Sequence, residues 1–192
     1  MERSTVPWQI LKLIAVTIVC SIVVGYGSLV ESAGTVAPGH PTGQGRVVLA
    51  FTAIVQGAAP GGKEAMPSLH LVQTPAQRTV LMARLSAIDR LRLEVVDLST
   101  SMVIAAFQGL QPTSGYRLDI LAVETSSTVL EVTVKRSSPV PSEPVRQGFE
   151  TPYHVVQVAR DALDTHHLAS YRLRDVSGDV LKEGAIDTIG TQ

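Results

Sequence analysis

Apolar positions along this chain come in short blocks with two different periods. Arg46 to Val55 (RVVLAFTAIV) is apolar and β-branched enough for a buried strand, ended by Gly57 and the loop AAPGGKEAMP. Leu69 to Val72 reads as a second, short strand. The period then changes. Thr74 offers an N-cap, Pro75 suits the first helical position, and Gln77 stands where a capping box needs it. Val80, Leu81, Leu85 and Ile88 come next at helical spacing, which predicts one helix ending near Ala87 with one face on a sheet. Leu91 to Val96 leads on to Asp97. Met102 to Phe107 is a solid apolar strand that runs into Gly109 and the loop Gln111-Pro112-Thr113-Ser114-Gly115, and a further strand opens at Tyr116. There Tyr116, Leu118 and Ile120 alternate with Arg117, Asp119 and Leu121. After a turn at Thr125-Ser126-Ser127, Val129, Glu131 and Thr133 alternate with Leu130, Val132 and Val134, a hairpin signal.

Three prolines keep Ser137 to Pro144 out of any sheet interior. Tyr153 to Val158 is the next strand, and Asp161 to His167 a polar connector. Tyr171 to Asp175 and Val180 to Ala185 form a last hairpin turning at Ser177-Gly178-Asp179. About eight short strands and one helix make the fold mainly β (α+β), an antiparallel sandwich or barrel-like domain with the helix covering one end.

The N-terminus adds a membrane question. Arg3 and Lys12 precede an apolar run from Leu13 to Val30. At about 1.5 Å per residue the run spans about 27 Å, roughly a bilayer core. Positive charge before it and Glu31 after it place the rest of the chain outside the cytoplasm. Residues 1–12 are then cytoplasmic, 13–30 a transmembrane anchor or signal sequence, 31–45 a flexible linker rich in Gly, Pro, Thr and Ala, and 46–189 an extracytoplasmic β-domain. The length of the run favours the uncleaved anchor, with Ala15, Ser21 and Gly25 offering a face to other membrane helices. Cleavage after Ser32 or Ala33 would instead secrete the domain. Cys20, the single cysteine, lies inside the run as a small hydrophobe. Lipidation there lacks the small residue expected just before a modified cysteine.

Composition narrows the chemistry. The formal net charge is −1, with no basic run, so nucleic acid is not a partner. The exported part has no thiol, hence no disulfide or thiolate metal site. Asparagine is absent, which rules out Asn-linked glycosylation. His166 and His167 near Asp161 and Asp164 lack a third nitrogen ligand at useful spacing and read as a solvated loop; His70 and His154 read as core or surface residues. No nucleophile elbow, P-loop or dinucleotide glycine pattern occurs, and neither cofactor nor metal is expected. A hydrolase would need a convergent Ser/His/carboxylate or metal cluster.

The order Asp97, Ser99, Val103, Phe107, Gly109, Pro112, Thr113, Gly115, Tyr116, then Pro139, Pro141, Gln147, Thr151, Pro152 and Tyr153, resembles the PrcB C-terminal-like domain family. The resemblance runs from about Asp97 to Val158 and more weakly back to the strand near Val47. The family is named for a lipoprotein subunit that stabilises a surface protease complex. The resemblance therefore implies a non-enzymatic accessory or stabilising subunit whose partners are other proteins of a membrane or cell-surface complex. Ser114 stands where the family usually has a second glycine, which restricts the backbone there. The expected protein-binding residues are Gln111, Pro112, Thr113, Ser114, Gly115, Tyr116, Thr151, Pro152 and Tyr153. The bland alternative is a structural β-turn, with Thr113 bonding its own backbone. The Pro112 to Tyr116 loop also resembles the Asn-Pro-Thr-Thr-Gly-Tyr loop of chagasin-type cysteine peptidase inhibitors, with Gln111 for the Asn and Ser114 for the second Thr. That likeness implies peptidase inhibition as a second reading.

Overall fold

The computed structural model describes residues 45–62, 64–163 and 167–186. The apolar run 13–30, the linker up to residue 44, Cys20 and His166 lie outside these residues. Among the described residues no helix is long and apolar enough to cross a membrane.

Chain order is β1 (Arg46–Val48), β2 (Phe51–Pro60), β3 (Ser68–Val72), α1 (Pro75–Met82), α2 (Ala87–Glu94), β4 (Ser101–Phe107), β5 (Gln111–Thr113), β6 (Arg117–Ser126), β7 (Val129–Ser137), β8 (Gln147–Ala159), a 3-10 turn (Arg160–Ala162), β9 (Ser170–Asp175) and β10 (Val180–Ala185). They form two five-stranded sheets. Sheet A runs β1-β6-β7-β9-β10; sheet B runs β2-β8-β4-β3, with β5 also on β8. Neither closes into a barrel. All pairings are antiparallel except β7 with β9, which is parallel. The last hairpin thus extends sheet A as an added edge pair.

The expected strand 46–55 is two strands. The chain crosses from sheet A to sheet B at Leu49-Ala50, where the Leu49 N–H donates to Val123 O at 2.8 Å. An uninterrupted apolar run hid this corner, although Leu49 is buried there while β1 before it is exposed throughout. β2 then runs past Gly57 to Pro60. A Cβ at Gly57 would sit 3.0 Å from Asp89 Oδ2 and 3.1 Å from the Tyr153 hydroxyl, so glycine here serves close approach and ends nothing.

The helical segment also differs from expectation. Its capping box is present: the Gln77 N–H donates to Thr74 Oγ1 at 3.3 Å and the Thr74 N–H to Gln77 Oε1 at 3.1 Å, with Pro75 at the first position. The helix ends at Met82, however, and Ser86 caps a second one, its Oγ accepting from the Asp89 N–H at 3.3 Å. Leu81 and Leu85 are buried as expected, whereas Val80 and Ile88 are 56% and 72% exposed. The break re-aims the face, so α2 seats Leu93 inward instead of Ile88. The expected hairpin β6–β7 is present, but β6 continues through Thr125 and Ser126, so the two-residue turn falls at Ser127-Thr128, where Ser127 adopts φ 52°.

Sheet B lies between two apolar layers. Met102, Ile104 and Ala106 of β4 point to the layer shared with sheet A, among Leu118, Ile120, Leu130, Val132 and Val156. Val103, Ala105 and Phe107 point the other way, to Leu81, Leu85, Leu93, Val55 and Val155. The helices therefore cover the outer face of sheet B, not one end of the sandwich. This is why Met102–Phe107 shows no polar alternation: both its faces are covered.

Candidate functional site

The Gln111–Tyr116 segment is built from β4 outward. The Gln108 N–H continues the ladder to Pro152 O at 2.9 Å. Gly109 then takes φ +88°, where an added Cβ would lie 3.0 Å from Met66 C and 3.1 Å from Ala65 O. Leu110 N–H donates to Ala65 O at 3.3 Å, so the 64–67 segment runs beside the entry to the loop. Gln111 pairs with Glu150 and Thr113 with Gln147, with an irregular register between them at Pro112, which has no N–H to give. The Ser114 N–H donates to Arg146 O at 3.0 Å, and Ser114 Oγ accepts from the Arg146 N–H at 2.8 Å. Gly115 turns the chain at φ +93°, and a Cβ there would lie 2.8 Å from Pro139 Cβ.

This segment is thus mostly a short strand, laced to the start of β8 and to the proline-rich connector. Ser114, and not Thr113, supplies the side-chain bond that fixes it. Glycine's freedom is required at Gly115, so serine at 114 fits without strain. Pro112 and Gly115 are exposed, and Gln111, Thr113, Ser114 and Tyr116 half-buried.

Thr151, Pro152 and Tyr153 do not share that surface. All three are buried, Tyr153 completely. The Tyr153 hydroxyl donates to Asp89 Oδ2 and accepts from the Ser86 N–H at 3.1 Å, and its ring lies 5.6 Å from that of Phe107. Burial, then Asp89, pushes its pKa up. They open an unbroken buried stretch of β8, residues 151–156, whose two faces are both covered. Tyr153 locks α2 to sheet B.

Three surface residues escaped the sequence reading. Phe149 is 61% exposed on β8, one residue before the Gln111 partner Glu150; Met66 beside Gly109 is 74% exposed, and Val140 on the connector 51%. With Pro112 they give this end of sheet B an apolar cap beside the Arg146–Glu150 ion pair, 2.9 Å. The signal for Phe149 was an aromatic isolated among Gln147, Gly148 and Glu150, outside any apolar alternation.

Two further polar groupings carry ionisable side chains. Glu64, Ser68, His70 and Arg84 converge beneath the 64–67 segment. Ser68 Oγ lies 3.3 Å and Glu64 Oε1 3.1 Å from the same ring nitrogen of His70, Nε2, while Ser68 Oγ donates to Glu64 Oε2 at 3.0 Å and Arg84 pairs with Glu64. A Ser-His-carboxylate relay needs the hydroxyl and the orienting carboxylate on opposite ring nitrogens of the histidine, and here both meet Nε2. Burial, outweighing Glu64, lowers the His70 pKa. Between the sheets, the Ile120 N–H donates to His154 Nδ1 at 2.8 Å, and Gln56 Nε2 donates to Leu118 O and Asp119 Oδ1 at 2.7 and 2.6 Å. Burial lowers the His154 pKa, and accepted hydrogen bonds from Gln56 and Arg117 hold Asp119 low against its own burial. Among the described residues no group of three His, Cys, Asp or Glu is placed to hold a metal ion.

Residues 102–159, from β4 through β8, match the family model described as PrcB C-terminal. No curated protein and no solved structure matches this chain.

Proposed function

We propose that the domain whose residues 102–159 carry the PrcB C-terminal match is a non-enzymatic protein-binding module, an accessory or stabilising subunit of a larger membrane or surface complex. It is held outside the cytoplasm by the apolar run 13–30, and its working surface is the end of sheet B formed by Gln111 to Tyr116 together with Phe149 and Met66. The observation that carries this reading is the contrast at that end. A laced, glycine-shaped backbone presents Pro112, Phe149 and Met66 to solvent, an order of rigidity that costs conformational entropy and that a passive turn would not need. Pre-organised apolar anchors with a charged rim are what a protein interface uses.

The inhibitor reading draws less support, because the backbone of Gln111, Thr113 and Ser114 is already engaged by β8 and Arg146, leaving little loop to enter a peptidase cleft. Mild detergent solubilisation of the intact chain followed by size analysis tests the proposal. A co-purifying protein at fixed ratio is expected; a chain that always runs without one overturns it. Lack of papain inhibition at micromolar concentration removes the alternative.

A further inference from the structure

A sheet edge is a row of unpaired backbone donors and acceptors, and proteins blunt such edges with charge, proline, bulges or brevity. Three of the four edges here are blunted. β1 is three residues long and begins with Arg46. β10 carries Lys182 and Glu183 and a register shift between Val180 and Lys182. β3 is five residues long and lies beside the end of β10. The fourth edge is β2. It runs ten residues, FTAIVQGAAP, pairs among the described residues only with β8, holds no charged side chain, and exposes Thr52 and Ala53. Its defences are a register shift between Ala53 and Val55 and Pro60 at its very end, which leave most of the strand unguarded.

α2 packs on this strand, with Asp89 against Gly57 and Leu93 in the same apolar layer as Val55. Away from that layer α2 leaves Ile88, Leu91 and Val95 at 72%, 65% and 84% exposure, at helical spacings of three and four. Arg92 and Glu94 are exposed on the same helix and have no ion-pair partner among the described residues.

We propose that the β2 edge and the exposed side of α2 form an interface with a second copy of this chain, β2 pairing antiparallel with its twin so that sheet B continues across a two-fold axis. Three features select a second copy. An isologous contact sets residues against their own kind, and a strand without charges meets no like charge in doing so. α2 carries both signs, so Arg92 of one copy can face Glu94 of the other. A net charge of −1 puts little repulsion between copies. The far end of β2 reaches the Pro112–Phe149 surface, where Pro60 pairs with Glu150, but the exposed Thr52 and Ala53 lie at the other end of the strand, and the contact does not depend on the partner proposed there.

The test uses the intact chain in mild detergent, with light scattering for mass and hydrogen exchange for residues 51–60. A dimer is expected, with β2 amides whose protection rises with protein concentration. Thr52→Lys with Ala53→Lys, both at exposed positions, is expected to weaken association at least tenfold while leaving Tm unchanged at dilutions where the wild type is also monomeric, as is Ile88→Glu. Leu121→Lys, exposed on β6, should leave association unchanged. A monomer at 100 µM overturns the proposal. So does association that survives the Lys pair, which would place contact in the N-terminal apolar run, and so does β2 protection seen only with a different co-purifying protein.

Discussion

Sheets A and B have five strands each and share one apolar layer, yet their other faces are held by opposite means. The outer face of sheet B is covered by α1 and α2 over Val103, Phe107, Tyr153 and Val155, all buried. The outer face of sheet A carries no helix among the described residues and is tied by charge. Glu131 of β7 is 7% exposed among Arg174 at 2.9 Å, Arg46 at 3.4 Å and Arg172 at 3.8 Å, and Arg136 pairs with Asp175 at 2.6 Å. Where helices are present the strands are apolar on both faces; where they are absent, alternate positions recruit ion pairs across β1, β7 and β9. The matched segment 102–159 therefore contains the doubly covered strands, while the added hairpin β9–β10 joins through charge as well as backbone.

The largest effect should come from the helix-covered side. Leu93→Ala removes a fully buried side chain between α2 and sheet B and should cost about 2–5 kcal/mol, read by denaturant unfolding. A cost near that of an exposed substitution would mean that the helices are not part of the cooperative core.

Acidification should act next, at the seam between the sheets. His154 titrates below its ordinary 6.5, chiefly through burial, so the unfolded chain takes up the proton first. Its contribution is full above about 6.5 and is lost as pH falls from there through the folded value. Protonating Nδ1 forfeits the Ile120 bond and leaves a buried donor unmet, about 1–3 kcal/mol. His70 shifts the same way and adds to the slope. Asp119 and Asp175, held below 3.8, lose their contributions only in stronger acid. A Tm that is flat between pH 8 and 5 would contradict the neutral-histidine seam.

Glu131→Ala should cost less, about 1–2 kcal/mol, because the freed Arg46, Arg172 and Arg174 are 50%, 38% and 32% exposed and re-solvate. The loss should shrink in high salt, unlike that of Leu93→Ala. Equal salt response in both variants would erase the distinction between the sheets.

Much of this was legible in the chain. The Leu130, Val132, Val134 alternation gave β7 its buried face, Thr74-Pro75-Ala76-Gln77 gave the start of α1, and Ser177-Gly178-Asp179 the last turn. What escaped has physical causes. Leu49-Ala50 looks like strand interior because the residues on both sides of the corner are apolar, even though β1 is exposed. α2 escaped because Ile88 reads as the last face residue of one helix ending near Ala87 and Leu91 to Val96 as a lead into Asp97, whereas Ile88, Leu91 and Val95 are apolar yet exposed. The parallel docking of β9 on β7 depends on contacts far apart in sequence, which no local pattern encodes. At the candidate site, Gln111 to Tyr116 were named from their turn chemistry. Thr151, Pro152 and Tyr153 were grouped with them by motif, although β8 carries them inward, and Phe149 and Met66 stood outside any motif.

The sharpest test is co-purification of the intact chain from membranes, wild type against the pair Pro112→Ser and Phe149→Ser. Both side chains are exposed, so an unchanged Tm is expected, within about 0.5 kcal/mol in stability, together with loss of the accompanying protein. Retention of that protein at wild-type ratio by a folded variant would contradict the claim that this end of sheet B is the working surface.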